Sequence, residues 1–172
     1  MKFNGRSVHE AAFKRLKSLT ELESLGLSGT NPADGVFGHL KNFAQIKKLK
    51  SSSTEITDAG LENLKGLTQL ECLNLSDTAV SDTGLEHLKG LTRLRLLELS
   101  STAITDAGLD HLTGLTQLKI LLLRGTKISD LGLQQLKGLT QLSILDLRRT
   151  KITPAGLDEL KKALPTTLIQ HD

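Results

Sequence analysis

Aromatic side chains are almost missing from this sequence: it has no Trp, no Tyr and only four Phe. The interior must therefore be filled by aliphatic residues, leucine above all. A surface that stacks nucleic-acid bases on interleaved aromatic rings is also excluded. The single cysteine, Cys72, rules out a disulfide within the chain. Residues 1–20 lack the uninterrupted apolar stretch of a secretory leader. A reducing compartment is allowed but not demanded, and a cytoplasmic location is the expectation. No stretch approaches the roughly 20 apolar residues of a membrane span. Charge of one sign does not dominate either. Residues 1–86 carry 10 basic and 11 acidic side chains, and residues 87–172 carry 12 and 8. So mild an asymmetry does not by itself imply nucleic acid, which is not the expected partner.

What is present is a repeat. Leucine recurs every 24 residues at Leu16, Leu40, Leu64, Leu88, Leu112, Leu136 and Leu160. The clearest unit begins at Leu64 and reads LKGLTQLECLNLSDTAVSDTGLEH. Close copies start at Leu88, Leu112 and Leu136. The coil from Leu16 degrades at Asn31-Pro32, and the coil from Leu40 has Ser51 where others carry a leucine such as Leu75. At the start, Met1, Phe3, Val8 and Phe13 fall in the columns of Leu73, Leu75, Val80 and Leu85. A single domain over residues 1–172 is expected. It comprises a partial coil 1–15, coils from 16, 40, 64, 88, 112 and 136, and a closing cap 160–172. In that cap Ala163-Leu164-Pro165 breaks the pattern, and Leu168-Ile169 can form a short last strand.

Each column has a physical task. Leu73 and Leu75 alternate with Cys72, Asn74 and Ser76, a period of two that marks a strand with one buried face. A Thr column follows: Thr30, Thr54, Thr78, Thr102, Thr126 and Thr150. Then come an aliphatic residue, as at Val80, and a Ser/Thr-Asp step such as Thr105-Asp106. There the hydroxyl is placed to cap a helix and the Asp to meet its positive end. In the last full coil the step becomes Thr153-Pro154, with proline at a first helical position that tolerates it. The helix covers roughly residues 82 to 89 in the third coil. Gly90 then stands where a left-handed terminator is wanted. Gly60, Gly84, Gly108, Gly132 and Gly156 lie inside the helices, each at a cost of about 1 kcal/mol. Close approach of the helix to the neighbouring backbone is the expected reason. No coil buries its leucines alone, so successive coils must stack into a continuous core. Strand, turn, helix and return to a parallel strand imply a right-handed crossover.

The stretch from Leu70 to Val80, Leu-x-x-Leu-x-Leu-x-x-Thr-x-Val, resembles the leucine-rich-repeat signature. Six copies and partial end coils cover essentially the whole chain. The ITDAGL segments at Ile56–Leu61 and Ile104–Leu109 are similar to the 24-residue class abundant in bacterial proteins, and to the repeats of F-box substrate receptors and bacterial effectors. The resemblance implies an α/β fold: a right-handed solenoid, or horseshoe, with a parallel sheet on its concave face and short helices on its convex face. It also implies protein recognition through the concave sheet. The family usually has Asn where this chain has Thr, so a weaker ladder of hydroxyls is expected there.

The outward strand positions define the candidate surface. In the first half they are small or polar. In the second half Leu96, Ile120, Ile144 and Leu122 stand side by side, rimmed by Glu98, Asp146, Arg124, Arg148 and Arg149. An apolar centre with a charged rim fits a protein-binding patch. Lateral packing of aliphatics on neighbouring strands explains the same pattern. A basic cluster, Arg124, Lys127, Arg148, Arg149 and Lys151, could hold an acidic peptide or a phosphate backbone, or could be a solvated rim. Glu62–Lys65, Glu86–Lys89 and Asp158–Lys161 are spaced as helical ion pairs, and Glu23, Lys47, Glu71 and Arg95 alternate in sign along one column.

No catalytic set emerges. There is no Ser-His-Asp grouping, no phosphate-cradling glycine loop and no pair of carboxylates in a cleft. Cys72 and His87 fall on opposite sides of a packed layer on the order of 10 Å thick. His87 and His111 share a column with His39, Asn63, Gln135 and Glu159; two imidazoles could grip a metal, but no third ligand accompanies them, and a structural hydrogen-bonding role is the expectation. Neither a metal nor a cofactor is implied. Three functions stay open: a non-enzymatic module that binds protein through the concave face, an anion-binding surface, and a structural element that self-associates through an N-terminal edge strand at Met1–Phe3.

Overall fold

The computed structural model describes residues 21–30 and 34–172. The opening strand at Met1–Phe3, the coil start at Leu16 and the irregularity at Asn31-Pro32 lie outside the described residues.

Seven strands of three residues form one parallel sheet in sequence order: β1 Ser24–Gly26, β2 Lys48–Lys50, β3 Cys72–Asn74, β4 Leu96–Glu98, β5 Ile120–Leu122, β6 Ile144–Asp146 and β7 Leu168–Gln170. Every strand pairs with the residue 24 positions on, as in Leu73↔Leu97↔Leu121↔Leu145. The register is thus the repeat itself. Those middle leucines are fully buried and form one interior file. A second file, Leu75, Leu99 and Leu123, lies beside it, and helix residues such as Leu85, Leu88, Leu109 and Leu112 close the core from the other side. Each interior leucine matters at the level of about 2–5 kcal/mol if truncated to alanine. The architecture is the expected horseshoe, with the sheet concave and short helices convex.

The helical segments are shorter and more mixed than the sequence suggests. In the third coil, α-helix spans Asp82–Leu85 and passes into a 3-10 turn at Glu86–Leu88. In the fifth coil the order is reversed: a 3-10 turn at Asp130–Gly132 precedes α-helix at Leu133–Leu136. The last helix, Pro154–Ala163, is the longest described, and the Thr153 hydroxyl caps it by accepting from the Gly156 amide at 3.3 Å.

The Ser/Thr-Asp step has a second task that outweighs capping. Each Asp reaches into the following coil and holds that coil's hydroxyl residue by two bonds. Asp34 accepts from the Thr57 amide at 2.9 Å and from its hydroxyl at 2.6 Å. Asp58 does the same for Ser81, Asp82 for Thr105, Asp106 for Ser129 and Asp130 for Thr153. This ladder explains the glycine column. A Cβ at Gly84 would lie 2.3 Å from Asp58 Oδ1, and one at Gly108 would lie 2.3 Å from Asp82 Oδ1. The close neighbour is thus the previous coil's carboxylate, where neighbouring backbone was expected.

The Thr column does not form an inter-coil ladder. Thr54 and Thr126 donate to the Ser51 and Leu123 carbonyls of their own coil at 2.8 and 2.7 Å, and the other members follow suit. Nor is Gly90 left-handed. The left-handed column lies just after the strands, at Gly29, Ser53, Asp77, Ser101, Gly125 and Arg149. There the chain turns away from the sheet while its amide still bonds to the next coil, as Asp77 does to the Ser100 carbonyl at 3.0 Å.

Candidate functional site

Backbone pairing sets the concave surface in columns. The first is Cys72, Leu96, Ile120, Ile144 and Leu168, each paired in register with the next. Leu96, Ile120 and Ile144 are half-buried. Leu168 is 59% exposed and extends the apolar file by one strand. Leu168 is an addition to the predicted patch, and its place 24 residues after Ile144 is the sequence signal for it.

The second column is Asn74, Glu98, Leu122 and Asp146, and it behaves differently. Asn74 Oδ1 accepts from the Ser76 amide at 2.9 Å, Glu98 Oε1 accepts from the Ser100 amide at 2.9 Å, and Asp146 Oδ1 accepts from the Arg148 amide at 3.1 Å. Each acceptor thus braces the residue two positions on. Leu122 has no acceptor to offer Arg124. Asp146, expected as an outward rim charge, is only 4% exposed. It is buried because Arg148 folds over it, with Nε donating to Oδ1 at 2.9 Å and a terminal nitrogen donating to Oδ2 at 2.5 Å. These bonds, the side-chain hydrogen bond foremost, hold the Asp146 carboxyl below its ordinary range.

A groove of about 480 Å³ opens beside the apolar file, walled by Glu98, Leu122, Arg124, Asp146 and Arg148, with Asp77, Ser101 and Arg149 at the turns. Five of the eight predicted concave residues therefore share one cavity, and Leu96, Ile120 and Ile144 form the neighbouring file. The predicted basic cluster divides. Arg124, Arg148 and Arg149 line the groove, whereas Lys127 and Lys151 are exposed on the turn segments outside it. There their amides bond to the Ile104 and Ile128 carbonyls at 2.8 and 2.9 Å. Asp77 and Ser101 join the predicted residues at the groove; they sit in Arg149's left-handed column, so the 24-residue spacing carries their signal.

The other candidates resolve as follows. Cys72 is half-buried on β3, and burial pushes its thiol pKa up despite Lys50 and Lys48 nearby; a protonated thiol is a poor nucleophile. The Nδ1 atoms of His87 and His111 are buried without a hydrogen-bond partner, so the expected structural bonds are absent at those atoms. Among the described residues, no group of three His, Cys, Asp or Glu side chains could hold a metal ion, and no helix is long and apolar enough to cross a membrane. Along the charge column, Lys47 and Glu23 pair at 2.6 Å, and that bond raises the lysine's pKa. Of the helical pairs, Glu62–Lys65 forms at 3.5 Å; on the last helix the pair is Glu159–Lys162 at 2.5 Å, where Asp158–Lys161 was expected.

Comparison with known proteins agrees with this geometry. A family model described as leucine rich repeat matches residues 92–152, and a second of the same description matches residues 66–89. An internalin (InlF) from Listeria monocytogenes superposes over 91% of this chain with a TM-score of 0.74 and 26% identity. An internalin C2 from the same species superposes over 91% with a TM-score of 0.71 and 27% identity. The chain spans 49% and 64% of those two structures, respectively. The ectodomain of the Arabidopsis receptor kinase HAESA, solved with a peptide hormone ligand, superposes over 97% of this chain and 28% of its own at a TM-score of 0.68. At 22% identity that likeness shows the fold alone. No curated protein matches the sequence.

Proposed function

We propose that this chain, which is a leucine-rich-repeat protein, works as a non-enzymatic binding module that holds a protein partner on the concave face of β4 to β6. Leucine-rich-repeat proteins are generally protein-interaction scaffolds. The observation that carries the reading is the juxtaposition of two surfaces: the half-buried file Leu96, Ile120 and Ile144 runs alongside a groove lined by Leu122, Arg124 and Glu98. Apolar side chains in the middle supply burial energy, and hydrogen-bonding groups beside them supply orientation. The alternative, an anion-binding surface built from all five basic residues, has less support: Lys127 and Lys151 stand apart from the arginines, and Arg148 is already satisfied by Asp146.

The test is selection of displayed peptides on the folded chain, followed by affinity measurement. Ile120→Asp combined with Ile144→Asp is expected to weaken the selected peptides at least about tenfold, since each anchor contributes on the order of 1.5–3 kcal/mol when buried. Leu131→Asp, on the helical side where Leu131 is 80% exposed, is expected to leave affinity unchanged. The reverse pattern would place the binding surface on the convex side.

A further inference from the structure

Arg124 and Arg148 stand in the same column one coil apart, and their surroundings differ. Arg148 follows Asp146 by two residues and closes on that carboxylate at 2.5 Å. Arg124 follows Leu122 by two residues, so the place of the tethering carboxylate is taken by an aliphatic side chain. Among the described residues the Arg124 guanidinium makes no hydrogen bond and no ion pair. Its charge acts on Asp146 through space only. It lines the groove, half-buried, beside Leu122. A guanidinium carries five N–H donors in a rigid fork that matches a carboxylate in two-pronged fashion. Partly withdrawn from water and lacking an internal acceptor, Arg124 is set to take one from outside.

We infer that Arg124 is the specificity anchor of the groove, and that the bound partner is a polypeptide segment presenting an Asp or Glu beside an aliphatic side chain, the acid on Arg124 and the aliphatic on Leu122. The inference rests on the concave-face reading above. A phosphate polymer fits less well: Glu98, Asp146 and Asp77 line the same groove and repel a chain of charges, while one carboxylate seated on Arg124 is compensated locally.

Peptide selection on wild type and on three variants tests the inference, with folding of each checked by circular dichroism. Wild type is expected to enrich peptides with Asp or Glu next to Leu, Ile or Val. Arg124→Gln is expected to bind them about tenfold more weakly, the size of a lost charge-assisted hydrogen bond. Arg124→Glu should invert the enrichment to Lys and Arg. Leu122→Asp should lose the acidic preference although the arginine remains, because the new carboxylate repeats the Asp146–Arg148 arrangement and satisfies Arg124 internally. An acidic preference that survives Arg124→Gln, or concave-face binders with no acidic preference, would overturn the inference and leave the concave reading standing. Binding indifferent to Ile120→Asp with Ile144→Asp would overturn both. A single-stranded oligothymidylate that binds more tightly than the selected peptides, through Arg124, would overturn the polypeptide assignment.

Discussion

Asp82 spans the gap between two coils to hold Thr105: one carboxylate oxygen accepts the Thr105 amide at 2.8 Å and the other accepts its hydroxyl. Beneath the carboxylate lies Gly108, whose missing side chain leaves the room it occupies. The same three-residue unit recurs along the convex edge and joins coils that the sheet and core also join. It ties the convex edge of each coil to the next, while the backbone pairing of the strands sets the spacing of the concave side chains.

Removal of the carboxylate leaves an amide and a hydroxyl without their acceptor. Asp82→Ala is expected to destabilise the chain by about 1–3 kcal/mol, read as a lower midpoint in denaturant. Gly108→Ala forces a methyl group against the same oxygen and is expected to cost about 1–3 kcal/mol by overpacking. The two costs should not add. In the double variant the methyl group enters the space the carboxylate left, so the double-mutant cycle should show coupling. Strict additivity would mean that the glycine column serves something else.

Ser51 marks a defect in the core. It is fully buried in the column that holds Leu27, Leu75, Leu99, Leu123 and Leu147, and its hydroxyl has no hydrogen-bond partner. Ser51→Ala removes the unpaired hydroxyl and is expected to stabilise the fold by about 1 kcal/mol. Equilibrium unfolding measures this; a loss of stability would show that the hydroxyl is satisfied in solution.

The left-handed column carries conformational cost wherever it is not glycine. Ser53 has φ 52° and Gly125 has φ 69°. Ser53→Gly is expected to gain a few tenths to about 1 kcal/mol, the left-handed penalty less the greater entropy of an unfolded glycine. Gly125→Ala is expected to lose about 1 kcal/mol. Opposite signs in the two unfolding curves are the check.

Asp146 sets a pH dependence. Its carboxyl is held low by the Arg148 hydrogen bond above all. A folded-state value below the unfolded one gives stability that is fully present above the unfolded carboxylate range and is lost as pH falls through the folded value. Arg148→Gln should therefore raise the Asp146 titration midpoint toward its unfolded value, followed by carboxyl carbon NMR, and flatten the acid limb of the stability curve by lowering stability above the carboxylate range. An unmoved midpoint would show that the pair does not form in solution.

The fold was legible because the period is also the register: Leu73, Leu97 and Leu121 are 24 apart, and parallel strands pair residues 24 apart. The same rule makes Leu168 legible: the last strand is read at Leu168-Ile169, and the step of 24 from Ile144 puts Leu168 in the apolar file. The Asp–Ser/Thr ladder was not legible. Ser81-Asp82 reads locally as a helix cap, and nothing in a linear pattern says that Asp82 bonds one coil ahead to Thr105. The rim was misjudged for a related reason. Spacing places Asp146 and Arg148 on the open face, yet two opposite charges two residues apart close on each other and bury the acid. Spacing gives position; the partner a side chain chooses depends on what stands within reach in three dimensions.

Binding on the concave face is measured most directly by a methyl NMR titration with a peptide selected on the wild-type chain. Ile120 and Ile144 report the concave file, Leu122 the groove, Leu131 the convex side and Ile104 the buried core. Shifts at Ile120, Ile144 and Leu122 are expected to saturate together, with Leu131 unmoved. Saturable shifts at Leu131, with the three concave methyls still, would contradict concave-face binding.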